Sequence, residues 1–398
     1  MALTKLQFRP GVNKEVTPYA NEGGWIDSDK VRFRAGFPEK IGGWQSLSDA
    51  RFTGVCRAIF DWATLAGIRY IGLGTNSKYF VATRGDYFDI TPVDRTTAPG
   101  DVTFTATSGS NLLRVNDAAH GAKAGDYVTF SGAVGLGGAL TATQLNREFQ
   151  VVDVVTAGQY RVQTAVVATA GDVGTGGATV AAAYQVATGG AQQAPTNGWG
   201  SAGWGEGAWG QEAVGTTALR IWDHANYGED LIYAPRGGAL YYWDSSAGTG
   251  ARGTKITGGD APVAHGTLLV SDASRFVICF GCNPYLQTVL DPMLVRWSDR
   301  EGYNTWAPAI TNQAGEFRLS LGSKIVCGRQ SRQEILVWTD TALYSMRYIG
   351  APLVFGFNPL GGEISIISAD AAVVVNGVAY WMGLDTFYQY DGRVAPLP

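Results

Sequence analysis

Asp230-Leu231-Ile232-Tyr233-Ala234-Pro235-Arg236-Gly237-Gly238-Ala239-Leu240-Tyr241-Tyr242-Trp243 reads as an apolar run, a Gly-rich turn and an aromatic-rich run. Short β-branched and aromatic runs across such a turn predict an antiparallel hairpin. The same plan recurs at Glu334 to Tyr348, at Gly377 to Tyr390 and, earlier, at Ile68 to Val81. A looser copy runs from Phe276–Phe280 to Met293–Trp297 across a longer connection.

The spacing decides the fold. Tyr241, Arg296, Tyr344 and Tyr388 hold comparable places, about 44–55 residues apart, the length of one four-stranded propeller blade. One hairpin cannot bury its apolar face alone, so several must pack together. The expectation is an all-β chain, a β-propeller complete or in part.

Composition agrees. Of 398 residues, 54 are Gly and 12% are aromatic, and helical periodicity is nearly absent, which suits an all-β fold with many tight turns. A net charge of −4 excludes a strongly basic nucleic-acid binder, but not a channel through which DNA slides without sticking. No stretch is long and apolar enough for a membrane-spanning helix, and the N-terminus lacks a signal-peptide layout.

Five segments follow. Residues 1–51 form an N-terminal strand or interface segment. Residues 52–96 hold a first blade. From 97 to 193 the chain turns rich in Ala, Gly, Thr and Val with few charges, and short strands between Gly turns predict one inserted small β-barrel or β-sandwich domain. Tyr79 lies roughly 160 residues before Tyr241, and removing roughly 100 inserted residues leaves about one blade period. Residues 194–217 are a Trp/Gly-rich linker. Residues 218–398 carry the remaining blades.

Within the first segment, Lys30, Arg32 and Arg34 alternate with Val31 and Phe33, which puts the cations on one face of a strand. Such a face is a solvated edge, a subunit contact or a phosphate-facing surface. Trp199, Trp204 and Trp209 are spaced by five, which matches neither helix nor strand. They form a looped cluster sealing the propeller side, or a platform for sugars or bases.

Catalytic signatures are missing. His120, His224 and His265 have no metal-type neighbours in sequence, so each reads as a structural histidine, Asp223-His224 included. Cys279 and Cys282 form a lone CxxC without a second pair, which predicts buried reduced thiols rather than zinc. Neither a Walker loop nor a nucleophile elbow occurs. Asp299, Glu301 and Asp340 are turn carboxylates, or line a channel as glycosidase acids do. No catalytic residue, metal or cofactor is expected.

A resemblance adds to this. Arg9-Pro10-Gly11-Val12-Asn13-Lys14-Glu15, then Gly23-Gly24-Trp25, then Asp29-Lys30-Val31-Arg32-Phe33-Arg34 through Pro38-Glu39-Lys40 to Gly42-Gly43-Trp44 resembles the tail nozzle proteins of short-tailed bacteriophages, also called packaged-DNA stabilisation or tail hub proteins. The run Gly198–Gly210, Val295–Glu301 and Asn304-Thr305-Trp306 are similar to the same family. The resemblance covers most of the chain outside the insert. It implies a structural virion protein, assembled in the host cytoplasm and working in the phage tail. It would form a homo-oligomeric ring, a hexamer, below portal and adaptor proteins, and bear tail fibres or a needle. The ring would extend the DNA channel, retain packaged DNA and support its ejection. Lys30, Arg32, Arg34 and Arg296, together with the three tryptophans, are the interface residues it suggests. It also implies longer relatives, so chain beyond Pro398 is expected. The alternative is a polysaccharide-binding or -cleaving propeller, a lectin or glycosidase.

Overall fold

The computed structural model describes residues 9–43, 45–46, 48–187, 189–190, 219 and 221–397. Two compact units are present, residues 1–50 and residues 51–398. In the first, Val31–Arg34 pairs antiparallel with Phe37–Lys40. Ala35 and Gly36 both take positive φ, 48° and 85°, the conformation a two-residue hairpin turn requires. Phe33 meets the Trp25 ring edge-on at 5.9 Å.

The second unit is all-β, built from several antiparallel sheets. Five are four-stranded, each laid down in chain order. Sheet I comprises Cys56–Ala63, Arg69–Thr75, Tyr79–Thr83 and Asp86–Asp89. Sheet II comprises Trp222–Tyr227, Asp230–Pro235, Tyr241–Trp243 and Thr254–Lys255. Sheet III comprises His265–Val270, Val277–Cys282, Asp291–Trp297 and Gly315–Arg318. Sheet IV comprises Ile325–Gln330, Ile335–Thr339, Ala342–Gly350 and Val354–Gly362. Sheet V comprises Ala372–Val375, Val378–Met382, Phe387–Tyr390 and Val394–Pro396. All five hairpins expected from the sequence are the second and third strands of these sheets.

The sheets stack in chain order. The first strand of sheet II lies against those of sheets I and III, that of III against IV, and that of IV against V. Successive residues of a strand point to opposite faces, so each inner sheet feeds two cores. In sheet II, Leu231 and Tyr233 join Trp62 and Tyr79 of sheet I, while Ile232 and Ala234 join Leu268 and Cys279 of sheet III. Ile278, Phe280 and Val295 of sheet III meet Ile335, Val337 and Tyr344 of sheet IV. Leu336 and Trp338 then meet Ala379 and Trp381 of sheet V. Burial on both faces explains why the second strands of the inner sheets II, III and IV are continuous apolar runs rather than alternating ones.

The insert is a single seven-stranded antiparallel sheet with its own core, including Phe104, Phe130 and Tyr160. Its ladder runs from Val93–Thr96 at one end to Thr103–Thr105 at the other, so the barrel expected here is not closed. The sheet folds over itself instead. The rings of Phe104 and Phe130 lie 5.1 Å apart although other strands separate them in the ladder. Val93–Thr96, placed with the first blade by the sequence, pairs with Ala181–Gln185 and belongs to the insert. Composition changes only after Thr97, so this shared edge left no mark in the sequence.

Charges fasten the insert to sheets I and II. Lys78, with a 6% exposed side chain, bonds Asp89 at 2.7 Å and also Glu148 of the insert. Arg252 reaches the same two carboxylates at 3.1 and 3.3 Å, so neither partly buried anion lacks a cation.

Candidate functional site

The first strands of sheets II, III and IV and the approach to sheet V supply one polar cluster. In Trp222–Tyr227, Trp222 turns toward sheet I and donates its indole N–H to the Thr75 carbonyl at 2.9 Å. Asp223 therefore turns the other way. Arg236, on the turn after the second strand of sheet II, donates Nε–H to Asp223 Oδ1 at 2.8 Å. The turn holds itself: Gly238 N–H donates to the Pro235 carbonyl at 2.9 Å, and Arg236 N–H to that of Ile221 at 2.8 Å. The other arm of the guanidinium reaches Asp370 at 3.2 and 3.3 Å. Arg329 of sheet IV also holds Asp370, at 3.4 Å, and donates to the Ala369 and Ala372 carbonyls.

His265, wholly buried, opens the first strand of sheet III. Its Nδ1 lies 2.8 Å from the Gly238 carbonyl. A carbonyl only accepts, so Nδ1 carries the proton and the neutral ring presents a bare Nε2 lone pair. That lone pair faces Asp223 Oδ2 at 3.9 Å, and both atoms are buried without a hydrogen-bond partner among the described residues. Burial pushes the Asp223 carboxyl up to about 6, against the pull of Arg236. Burial pushes the His265 imidazole down to about 4.

The residues singled out in the sequence fall elsewhere. Lys30, Arg32 and Arg34 are exposed on the 31–40 hairpin while Val31 and Phe33 are half-buried, and Arg32 pairs with Glu39 at 3.1 Å. Trp199, Trp204 and Trp209 lie outside the described residues. Arg296 is corrected as an interface residue. It is 1% exposed and bonds the Asn283 and Asp260 carbonyls at 3.0 and 2.8 Å, with Glu316 at 3.7 Å. Its guanidinium ties the loop after the second strand of sheet III to the segment that joins sheets II and III, because the third strand of sheet III is covered on both faces. Cys279 and Cys282 are buried free thiols. Among the described residues no three or more His, Cys, Asp or Glu side chains gather as a metal site. Asp299 and Asp340 accept backbone N–H bonds from Arg300 and Gln313, and from Ser323 and Lys324, as turn carboxylates do.

His224, next to Asp223 in the strand, turns to the opposite face. His224 stacks on Phe60 at 4.9 Å and meets the Tyr79 hydroxyl at 3.1 Å. The histidine that faces Asp223, His265 at 3.9 Å, lies in another sheet, and only strand parity, with Trp222 turned one way and Asp223 the other, hinted at it.

A second feature is a groove of about 740 Å³ beside sheets I and II, lined among others by Leu65, Tyr227, Glu229, Asp230, Tyr242 and Arg275. Its carboxylates are engaged by the chain itself: Asp230 accepts from the Ser245 amide and the Tyr242 hydroxyl, and Glu229 from the Leu65 amide.

No helix among the described residues is long and apolar enough to cross a membrane. No family model matches the chain, and no curated protein matches it. Among solved structures, the phage phi92 endosialidase is similar at 12% identity and a TM-score of 0.26, over 82% of this chain and 51% of that one. The chain thus spans about half the length of the structure it matches, and a likeness of that size carries no argument about fold or activity.

Proposed function

We propose that this chain is a structural, non-enzymatic subunit of a bacteriophage tail nozzle, its five stacked sheets forming blades of a β-propeller. The observation that carries the reading is the N-terminal signature through Trp44, whose Lys30–Arg34 stretch presents exposed cations on a short hairpin with its apolar side turned inward. Such a hairpin suits a contact with other subunits. Mild net charge suits a bore that lets DNA pass, since each phosphate contact releases counterions and holds the duplex. Where the sheets converge, Arg236 and Arg329 hold Asp370 and Asp223 lies buried, an arrangement that favours scaffolding over carboxylate catalysis. The role is a hexameric ring under portal and adaptor proteins that extends the channel, retains packaged DNA and carries fibres or a needle.

The test is electron microscopy and mass measurement of the purified protein with its neighbouring tail proteins. A ring of roughly six copies that docks on a portal–adaptor complex supports the proposal. A monomer that ignores those partners overturns it. The groove with Tyr227 and Tyr242 favours a second reading, polysaccharide binding, which glycan-array binding by the same sample would support.

A further inference from the structure

We propose that Asp223 and His265 form a proton-binding site, taking up one proton between Asp223 Oδ2 and His265 Nε2 and thereby controlling the ion pair that joins sheet II to sheet V. Geometry carries this. The Gly238 carbonyl fixes the histidine tautomer at 2.8 Å, so two bare acceptors face each other at 3.9 Å in a buried place. Two acceptors repel. One proton, delivered from solvent to either atom, makes a donor and an acceptor, and the gap can close toward the ordinary distance of about 2.7–3.0 Å. No second proton fits without burying a cationic ring beside a neutral acid.

The surroundings set the consequence. Arg236 lies on Asp223 Oδ1 at 2.8 Å and on Asp370 at 3.2 Å. Arg329 faces Asp370 from sheet IV. Cys279 of sheet III and Cys327 of sheet IV sense the Asp223 charge, and burial pushes both thiols up. They therefore stay neutral. His224, on the same strand, is held neutral by burial as well, its imidazole pushed down to about 4. Loading brings the pair from one net negative charge to zero and so weakens its hold on Arg236 relative to that of Asp370. The turn that carries Arg236 is the one His265 grips, through the Gly238 carbonyl and through the Gly237 N–H donating to the His265 carbonyl at 2.7 Å. Proton uptake and the tie between sheets are therefore mechanically joined.

The pair should titrate as one unit. Asp223, raised by burial to about 6 in the folded chain, and an unfolded histidine, near 6.5, then take up one proton in almost the same range. The unaltered pair should contribute little slope to stability between pH 7 and 4. In Asp223→Asn, His265 stands alone with a depressed value near 4, so stability is present above about 6.5 and is lost as pH falls toward 4. In His265→Gln, Asp223 stands alone with a raised value near 6, so stability grows as pH falls from 6 toward 3.8. Relative to the unaltered chain, the folding constants should move in opposite directions, each on the order of 100-fold, as read by urea titration of the whole protein. Three parallel pH profiles overturn the proposal. The unaltered protein, labelled with ¹⁵N-histidine, gives an independent reading should a variant not fold. One histidine of the Nδ1–H tautomer should move its Nε2 signal with a midpoint near 6. A signal unmoved down to pH 4.5 overturns the proposal equally.

Discussion

Arg236 and Asp370 stand 134 residues apart in sequence and 3.2 Å apart in space. They join the second of five stacked sheets to the fifth, while Arg236 also neutralises the buried Asp223 at 2.8 Å. The two carboxylates do not weigh equally, since the side chain of Asp223 is 9% exposed and that of Asp370 is 63% exposed.

Removing the shared cation should therefore cost more than removing the outer anion. Arg236→Met strands a buried carboxylate, a loss of about 3 kcal/mol at neutral pH. Asp370→Asn removes a screened partner and costs under about 1 kcal/mol. Without Arg236, the Asp223 carboxyl, already raised to about 6, rises further. The Arg236→Met deficit should then be largest above that value and shrink as pH falls and Asp223 protonates. Urea unfolding of both variants at pH 5 and 7.5 checks the ranking and the sign.

Packing between sheets III and IV leaves no room at Gly328. A Cβ there would sit 2.4 Å from the Phe280 ring, and the ring is 1% exposed inside the core those sheets share. Gly328→Ala should destabilise by about 1–3 kcal/mol through overpacking. Phe280→Leu alone should also destabilise, by loss of buried ring area. Together they should cost less than their sum, because the smaller side chain yields the space the methyl needs. Thermal melts of the double-mutant cycle decide this, and simple additivity would count against close contact of the two sheets.

His224 supplies an acid sensitivity of its own. Burial pushes it down to about 4, far below its ordinary value of 6.5. Its folded value is depressed, so its contribution is complete above 6.5 and disappears as pH falls through 4. His224→Gln should flatten the fall of stability between pH 6.5 and 4 by up to about 1.4 kcal/mol per pH unit. The variant should be less stable than the parent at pH 7, since the stack on Phe60 at 4.9 Å is lost, and the two curves should converge in acid.

The sheets were legible in the sequence, and their sites were not. The hairpins of sheets II, III and IV announced themselves because their second strands are buried on both faces and read as apolar runs, as in Val277-Ile278-Cys279-Phe280. The third strands kept the blade spacing, so Tyr241, Arg296, Tyr344 and Tyr388 all fall on them. First strands carry polar residues, Asp223 and His265 among them, and lack that signature. Their partners are chosen by the stacking of different sheets, which no local pattern records. Arg296 misled for a related reason: a strand position shows that a cation is present, but the Asn283 and Asp260 carbonyls that receive it come from loops.

The hairpin of residues 31–40 offers the sharpest separation of fold from assembly. Arg32 and Arg34 are exposed, and among the described residues Arg32 pairs with Glu39, itself 46% exposed. Surface pairs of this kind add little to stability. Arg32→Glu with Arg34→Glu should thus leave the unfolding midpoint of the main unit unchanged. If the hairpin faces a neighbouring subunit or the portal–adaptor assembly, as the nozzle reading holds, reversing two charges should slow docking and weaken it most at low salt. Sedimentation of the double variant with its tail partners at low and high salt measures both effects. Unchanged assembly at every salt concentration would return these cations to the role of a solvated edge, and a fall in the midpoint would instead make them part of the fold.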